Sequence, residues 1–255
     1  TTVADGSGNF AFSSTTVAVG TTLILFVDDE VGYTGSAVMR ASSTDMTGIE
    51  IHKDTVIVGQ GPNATTTVSD LSTYDSTYDS DIQVIASTLT DSLTVTGGQD
   101  FTIWSGYAFQ PAASTTFTGN YTNNGTFVGS GSTVTFGGTS QQTATGTLDG
   151  TSQFDGLVVA NNSADGDTVQ SVNFGQRVRA FLMRMRGNSS AAFKSGRTSI
   201  FDRIDWRGGS GSPVWVRSDN TGSKWDLNTN CSLLDYVNTK DTDASASPRA
   251  LRAAN

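Results

Sequence analysis

Basic residues are missing from the middle of this chain: no lysine or arginine occurs between Lys53 and Arg177. Residues 1–160 hold 2 basic residues against 15 acidic ones, a net charge of −13, and residues 161–255 hold 13 against 9, a net of +4. The two sum to the −9 of the whole chain. This acidic net charge predicts that the chain does not bind nucleic acid. This division predicts subunits that attract each other head to tail, although an acidic secreted protein with an ordinary basic patch would also show it.

Cysteine and long apolar runs are also scarce. Cys231 is the only cysteine, which excludes an intramolecular disulfide framework. The longest apolar run, Leu23–Val27, has the length of a strand, and no run approaches the 18 residues or so of a membrane span. The chain begins Thr1-Thr2 with no initiator Met, so a natural N-terminus here would imply a removed leader. We therefore predict an extracellular or cell-surface location, in a bacterial or archaeal setting.

His52 is the only histidine, and no Gly-x-Ser-x-Gly nucleophile motif occurs. One His and one Cys cannot supply the three or four ligands of a zinc site. We predict no catalytic residue and no cofactor, apart from possible calcium.

Helical periodicity is nearly absent, whereas short alternating runs separated by Gly, Asn, Asp and Ser recur throughout. They predict an all-β protein, either a sandwich or a parallel β-helix. We favour the β-helix because Asn-Gly hairpin turns are scarce. The predicted domains are an N-terminal β region over 1–90 and β-helix coils over 91–255. The predicted inward residues are Val95, Ile103, Phe127, Val134, Phe136, Leu157, Val159, Val172, Phe174, Ile204, Val216, Leu227 and Val237.

Two segments carry a family resemblance. Phe117–Thr147, with Phe154–Asn161 after it, and Leu234–Ser245 are similar to coil modules of large repetitive bacterial and archaeal surface proteins of the adhesin or autotransporter-passenger type. The resemblance covers roughly residues 90–245 and implies a right-handed β-helix at the cell surface. Those relatives are long, so the resemblance implies that a short chain reaches length by assembly.

Acidic clusters suggest a calcium site. Asp75, Asp79 and Asp81 are the best-placed group, although no twelve-residue calcium loop is present. Asp165/Asp167 and Asp241/Asp243 read equally well as turns.

Two segments are predicted to make assembly contacts. The first is the alternating Asn9–Phe12, with Asn9, Phe10 and Phe12, which can pair within its own domain or be donated to a neighbour's sheet edge. The second is the Val178–Arg186 run, whose alternation slips once near Ala180, as at a bulge. Its basic residues can meet an acidic partner subunit, hold an acidic glycan or protect an edge strand; they are Arg177, Arg179, Arg184 and Arg186.

Possible N-glycosylation acceptors are Asn63, Asn120, Asn124, Asn161 and Asn188. The prediction is a non-enzymatic extracellular structural protein: a homopolymer subunit of a surface filament, tube or layer, not membrane-spanning, with surface glycans as possible partners. The alternatives are a glycan-binding adhesin module and a polysaccharide-degrading enzyme.

Overall fold

The computed structural model describes residues 2–12, 16–61, 65–164 and 168–248, and the backbone of 253–254. The all-β prediction is confirmed, since the described helices are the four-residue α1 (Val68–Leu71) and a 3₁₀ turn, Gly150–Ser152. The strands are β1 Thr22–Phe26, β2 Ser36–Arg40, β3 Thr55–Val58, β4 Thr66–Thr67, β5 Val84–Ser87, β6 Ser92–Val95, β7 Asp100–Ile103, β8 Ala108–Gln110, β9 Ser114–Phe117, β10 Tyr121–Asn123, β11 Thr126–Phe127, β12 Thr133–Phe136, β13 Gln142–Gly146, β14 Phe154–Val159, β15 Val172–Phe174, β16 Arg179–Arg186, β17 Ser190–Phe193, β18 Thr198–Arg207, β19 Val214–Ser218, β20 Trp225–Asp235, β21 Val237–Lys240, β22 Thr242–Asp243 and β23 Ala253–Ala254.

The strands form two long sheets and one short one. The first long sheet, sheet A, has the order β1-β2-β3-β7-β10-β13-β15-β17-β19-β21. The second, sheet C, has the order β22-β20-β18-β16-β14-β12-β9-β6-β5, with β23 also beside β20. The short sheet, sheet B, is β11-β8-β4. From β6 onward the chain alternates between the two long sheets. Each strand therefore pairs in parallel with the next strand that the chain adds to the same sheet. A sandwich would instead show antiparallel pairing.

One long core runs between the sheets. Twelve of the thirteen predicted inward residues are buried in it, and the thirteenth, Val237, is partly buried against it. On sheet A, Phe101, Tyr121, Ala144, Phe174 and Phe193 occupy one inward column on successive strands. The rings of Phe174 and Phe193 stack at 5.2 Å, and such aromatic pairs add about 0.5–1.5 kcal/mol beyond the burial of their area.

The N-terminal end of both long sheets differs from the rest. There β1 pairs with β2, and β5 with β6, antiparallel, whereas the other pairs are parallel. The short α1 lies beside β2, β4 and β5. Its Asp70 accepts hydrogen bonds from Thr22 Oγ1 at 2.6 Å and from Arg40 Nη2 at 3.0 Å, which fixes α1 to the first two strands.

The predicted slip in alternation is present in β16, one residue later than expected. Phe181 and Leu182 both lie outside the core, between buried Ala180 and Met183. The neighbouring β18 repeats this at Asp202-Arg203, so two adjacent strands share the slip.

The predicted domain boundary at residue 90 lies inside a continuous sheet. Strand β3, before the boundary, pairs in parallel with β7, after it. The N-terminal region therefore shares its main sheet with the later strands.

Candidate functional site

Strand β1 is the N-terminal edge of sheet A. It carries Leu23–Phe26, the most apolar run of the chain, and all five of its residues are partly exposed. Among the described residues β1 pairs only with β2, which leaves its other edge open. Such edges are usually protected by a Lys, a Pro, a bulge or a covering element. Strand β1 contains no charge and no proline.

Strand β21 is the opposite edge of the same sheet. It pairs with β19 in parallel, and in the described part of the chain no strand lies beyond it. Val237 and Thr239 stand in register with the buried Val214 and Val216. Their side chains thus continue the inward columns to the end of the stack, where Thr239 becomes exposed.

Exposed apolar side chains concentrate near the N-terminus. Among the described residues, eleven large hydrophobic side chains are exposed, and eight of them belong to residues 1–90. Single exposed apolar residues are ordinary, but eight of eleven within residues 1–90 is a bias that a contact surface would explain. The eight are Val3, Phe12, Val19, Val31, Tyr33, Tyr78, Ile85 and Leu89.

The predicted strand Asn9–Phe12 is not a strand in the structure. The segment instead folds locally: Asp5 accepts the backbone N–H of Asn9 at 2.9 Å, and Thr2 Oγ1 donates to Ala11 O at 2.9 Å. That Asn9 hydrogen bond, with further bonds from the Asn9 side chain and Ser7, lowers the pKa of Asp5. The rings of Phe10 and Phe12 meet edge to face at 6.1 Å, and Phe12 is half exposed.

The predicted basic contact residues lie on the side of the stack. Strand β16 pairs with β14 on one edge and β18 on the other, so it is an interior strand. Arg179, Arg184 and Arg186 point outward from it, and Arg177 precedes it. The edge-protection reading therefore does not apply, and these side chains are remote from both ends of the sheets.

One carboxylate organises this basic face. Asp205 on β18 receives Arg186 Nη2 at 3.1 Å and Arg207 Nε at 2.7 Å, with Arg184 Nε at 4.0 Å. Burial raises the pKa of Asp205, but the hydrogen bonds and charges of Arg207 and Arg186 outweigh it and leave the pKa below its ordinary value. Three guanidinium groups sharing one carboxylate leave a surplus of positive charge. We name this surface, Arg179, Arg184, Arg186, Arg203, Asp205 and Arg207, the arginine face.

A polar groove of about 550 Å³ opens at the turns between the sheets. Asp149 and Arg177 form an ion pair in it, and Arg197 lies on the next turn. The other lining residues are Gly146, Thr147, Leu148, Gln176, Gly196 and Thr198.

The predicted calcium ligands separate into two environments. Asp75 is buried and caps a turn, accepting the N–H and hydroxyl of Thr77 and the N–H of Ala86. Burial raises the pKa of Asp75, but these hydrogen bonds outweigh it and lower the pKa overall.

Asp79 and Asp81 instead lie with Asp28, their oxygen atoms within 4.8 Å of one another. Asp81 Oδ2 accepts the N–H of Asp29 at 2.6 Å, so this cluster also fixes the segment that follows β1. Asp165 and Asp167 lie outside the described residues, and Asp241 accepts the N–H of Gly222 at 2.9 Å.

The glycosylation acceptors divide by accessibility. Asn161 is fully buried and donates to Ser140 O at 2.7 Å, so it cannot carry a glycan in this fold. Asn120 hydrogen-bonds through both atoms of its amide: Nδ2 donates to Asp100 Oδ2, and Oδ1 accepts from the N–H of Thr143. Asn124 and Asn188 are exposed, whereas Asn63 lies outside the described residues.

His52 is exposed and its Nε2 lies 2.8 Å from Glu50 Oε2. Its ring packs edge to face on Trp104 at 6.3 Å. No serine or cysteine appears among its hydrogen-bond partners in the described part of the chain, so these contacts form no nucleophile–base pair.

Two features of these surfaces were missed from sequence. Asp205 gave no signal, because a single Asp between apolar residues looks like an ordinary outward strand position. The open edge of β1 depends on which strands pair, although an apolar run without a charge was a usable signal.

Comparisons with family models, curated proteins and solved structures found no match for this chain. The resemblance to surface-protein coil modules therefore stays a prediction. Within the described ranges, no helix is long and apolar enough to cross a membrane.

Proposed function

We propose that this chain is a non-enzymatic structural protein of the cell exterior, a subunit that polymerises head to tail into a surface filament, tube or layer. We further propose that its stacked parallel strands form a β-helix. The observation that carries the proposal is the concentration of exposed apolar side chains in residues 1–90, eight of the eleven among the described residues. Exposed apolar surface is unfavourable in water, and a partner that covers it removes that cost.

The open edges of sheet A support a polymer over a closed dimer. Strand β1 and strand β21 are different surfaces at opposite ends of one sheet. Contact between unlike ends is heterologous, so it propagates unless the rotation between subunits closes a ring. A subunit of this design needs no catalytic group.

Electrostatic attraction has a secondary role in this proposal. Residues 1–90 carry 11 acidic and 2 basic residues, a net charge of −9, whereas the arginine face carries five arginines, three of which lie within 4.0 Å of Asp205. Exposed ion pairs contribute only about 0–1 kcal/mol each, so charge orients one polymer against another while backbone pairing holds the subunits of each polymer together. Because the arginine face lies on the side of the stack, we assign it to lateral contacts between neighbouring polymers.

Negative-stain electron microscopy of the purified chain tests the proposal, together with size-exclusion chromatography across a hundredfold range of concentration. We expect filaments, tubes or sheets that grow with concentration. A monomer at every concentration and ionic strength would overturn the structural function.

A second candidate function rests on the groove at Asp149, Arg177 and Arg197. Its open polar shape and two guanidinium groups suit the carboxylates of an acidic glycan, as an adhesin module would require. Titration with uronic-acid oligosaccharides, followed by NMR, tests this. Binding that Arg197→Ala abolishes, with no polymer in the microscope, would favour the adhesin.

A further inference from the structure

The backbone groups of β1 that face away from β2 can be identified. Val27 N donates to Gly35 O at 3.1 Å, and Ala41 N donates to Thr21 O at 2.8 Å, so the odd-numbered residues of this segment face β2. Successive residues of a strand alternate in direction, so the even-numbered residues offer their N–H and C=O groups to the open edge. These residues are Thr22, Ile24 and Phe26.

The same reasoning applies to β21. Val214 N donates to Tyr236 O at 3.0 Å, so Tyr236, Asn238 and Lys240 face β19. Val237 and Thr239 therefore present their backbone groups to the open edge. Within the described ranges, each end of sheet A thus offers alternate unpaired donors and acceptors, the template that strand addition requires.

The side chains at the two edges follow the same alternation, which we call parity: even-numbered residues in β1 and odd-numbered residues in β21. Ile24 and Phe26 pack against the core, and Ile24 pairs with the core residue Val38. Val237 also packs against the core, and Thr239 follows Val216 on its inward column. At both edges, the residues whose backbone groups are unpaired are those whose side chains point inward. A register shifted by one residue would turn the inward side chains outward, so this agreement is a specific requirement of pairing.

We infer that β1 of one subunit pairs antiparallel with β21 of a second copy, so that sheet A and its core column continue from subunit to subunit. The inference rests on the proposed function and assigns its contact. Strand β2 runs parallel to the later strands and β1 runs against it, so a β1–β21 pair between stacked copies is antiparallel. Two of the registers that satisfy this parity pair both Val237 and Thr239 with β1: they place Ile24 opposite Val237, or Ile24 opposite Thr239.

Each register predicts a close outward pair that includes Asn238. In the first, Leu23 lies opposite Asn238; in the second, Leu25 lies opposite Asn238. Both are non-hydrogen-bonded pairs, with Cα atoms about 4.5 Å apart, within the range that a disulfide spans. Within one chain these positions lie at opposite edges of the ten-stranded sheet, roughly 43 Å apart, so a disulfide between them must join two copies.

The test uses two variants in a Cys231→Ser background, since Cys231 is exposed. They are Leu23→Cys with Asn238→Cys, and Leu25→Cys with Asn238→Cys. We expect one of them, oxidised after assembly, to give a ladder of covalent oligomers on a denaturing gel. Mixing the two corresponding single variants should give only dimers, and either single variant alone should give none, because the contact joins unlike ends.

The outcomes separate this inference from the proposed function. Polymers in the microscope with no ladder from either variant would overturn the β1–β21 pairing and leave the polymer in place. A cross-link from Phe12→Cys with Asn238→Cys, and none from β1, would show that β21 contacts the N-terminal segment of the neighbouring subunit. That result would also overturn the inference. Monomers in the microscope for the parent chain would overturn both proposals. Circular dichroism of each variant checks that it keeps the parent's fold.

Discussion

Arg186 on β16 donates from Nη2 to Asp205 Oδ2 on the neighbouring β18 at 3.1 Å, and its Nη1 reaches the Asp205 backbone oxygen at 3.0 Å. One arginine thus joins two strands through both the side chain and the backbone of one residue. Arg207 adds a second hydrogen bond to the same carboxylate, at 2.7 Å.

Replacing Asp205 should therefore destabilise the stack in a pH-dependent way. We expect Asp205→Asn to lower the free energy of unfolding at pH 7 by about 1.5–3 kcal/mol, the usual contribution of hydrogen bonds to charged groups. A folded-state pKa below the ordinary value of about 3.9 gives stability that is complete above that value and is lost as pH falls through the folded pKa. Urea unfolding at pH 7 and pH 2 should show the difference between parent and variant shrinking at pH 2. Asp202→Asn, on the same strand, is the matched control; an equal loss at both pH values would contradict the account.

Tyr121 offers a stabilising substitution. It is fully buried in the aromatic column, and its hydroxyl has no hydrogen-bond partner among the described residues. Burial raises the pKa of this phenol well above its ordinary value. Because an unsatisfied buried hydroxyl costs about 1–3 kcal/mol, Tyr121→Phe should raise the free energy of unfolding by up to that amount. Thermal denaturation measures the change, with the exposed Tyr236→Phe as control. A clear loss of stability would mean that the hydroxyl has a partner.

Removal of residues 1–12 should separate folding from assembly. None of these residues enters a described strand, so we expect the shortened chain to keep its circular dichroism spectrum and its unfolding temperature within a few degrees. The loss of Phe10 and Phe12 should then weaken only the contacts between subunits, so polymers should be fewer or shorter. Light scattering at matched concentrations measures this. Polymerisation at the parent's rate would show that the N-terminal segment makes no contact.

The arginine face should govern lateral association. Arg179 and Arg203 are exposed and form no ion pair in the described part of the chain, so reversing both to Glu changes charge with little effect on folding. We expect bundling of polymers to decrease at low salt and the difference to vanish near 1 M, where the screening length falls to about 3 Å. The length of single polymers should not change. If the double variant instead blocked elongation, the arginine face would belong to the end-to-end contact between subunits.

Local sequence pattern predicted the interior of the fold well. Alternation at Val134 and Phe136, or at Val172 and Phe174, places a side chain inward wherever the strand pairs, so such positions could be read without knowing the partner. The same reasoning failed at Asn9–Phe12, because alternation alone supplies no partner strand. It also missed β2, whose side chains are buried on both faces and do not alternate.

The candidate surfaces were harder to predict, because they depend on residues distant in sequence. Asp79 and Asp81 meet Asp28 across some fifty residues, whereas the nearer Asp75 turns into the protein. Arg184 and Arg186 were correctly predicted as outward. Their position on the side of the stack follows from the pairing of β16 on both edges, which no local pattern contains.

The axial rise of the polymer tests the central claim most directly. Sheet A contributes ten strands from each subunit, and strands are spaced about 4.8 Å apart, so a sheet that continues through β1 and β21 repeats every 48 Å or so along the stack. Cryo-electron microscopy of the polymers should give a rise close to this value, with strands perpendicular to the axis and a reflection near 4.8 Å. A rise that differs by more than about one strand spacing, or strands running along the axis, would contradict end-to-end continuation of the sheet.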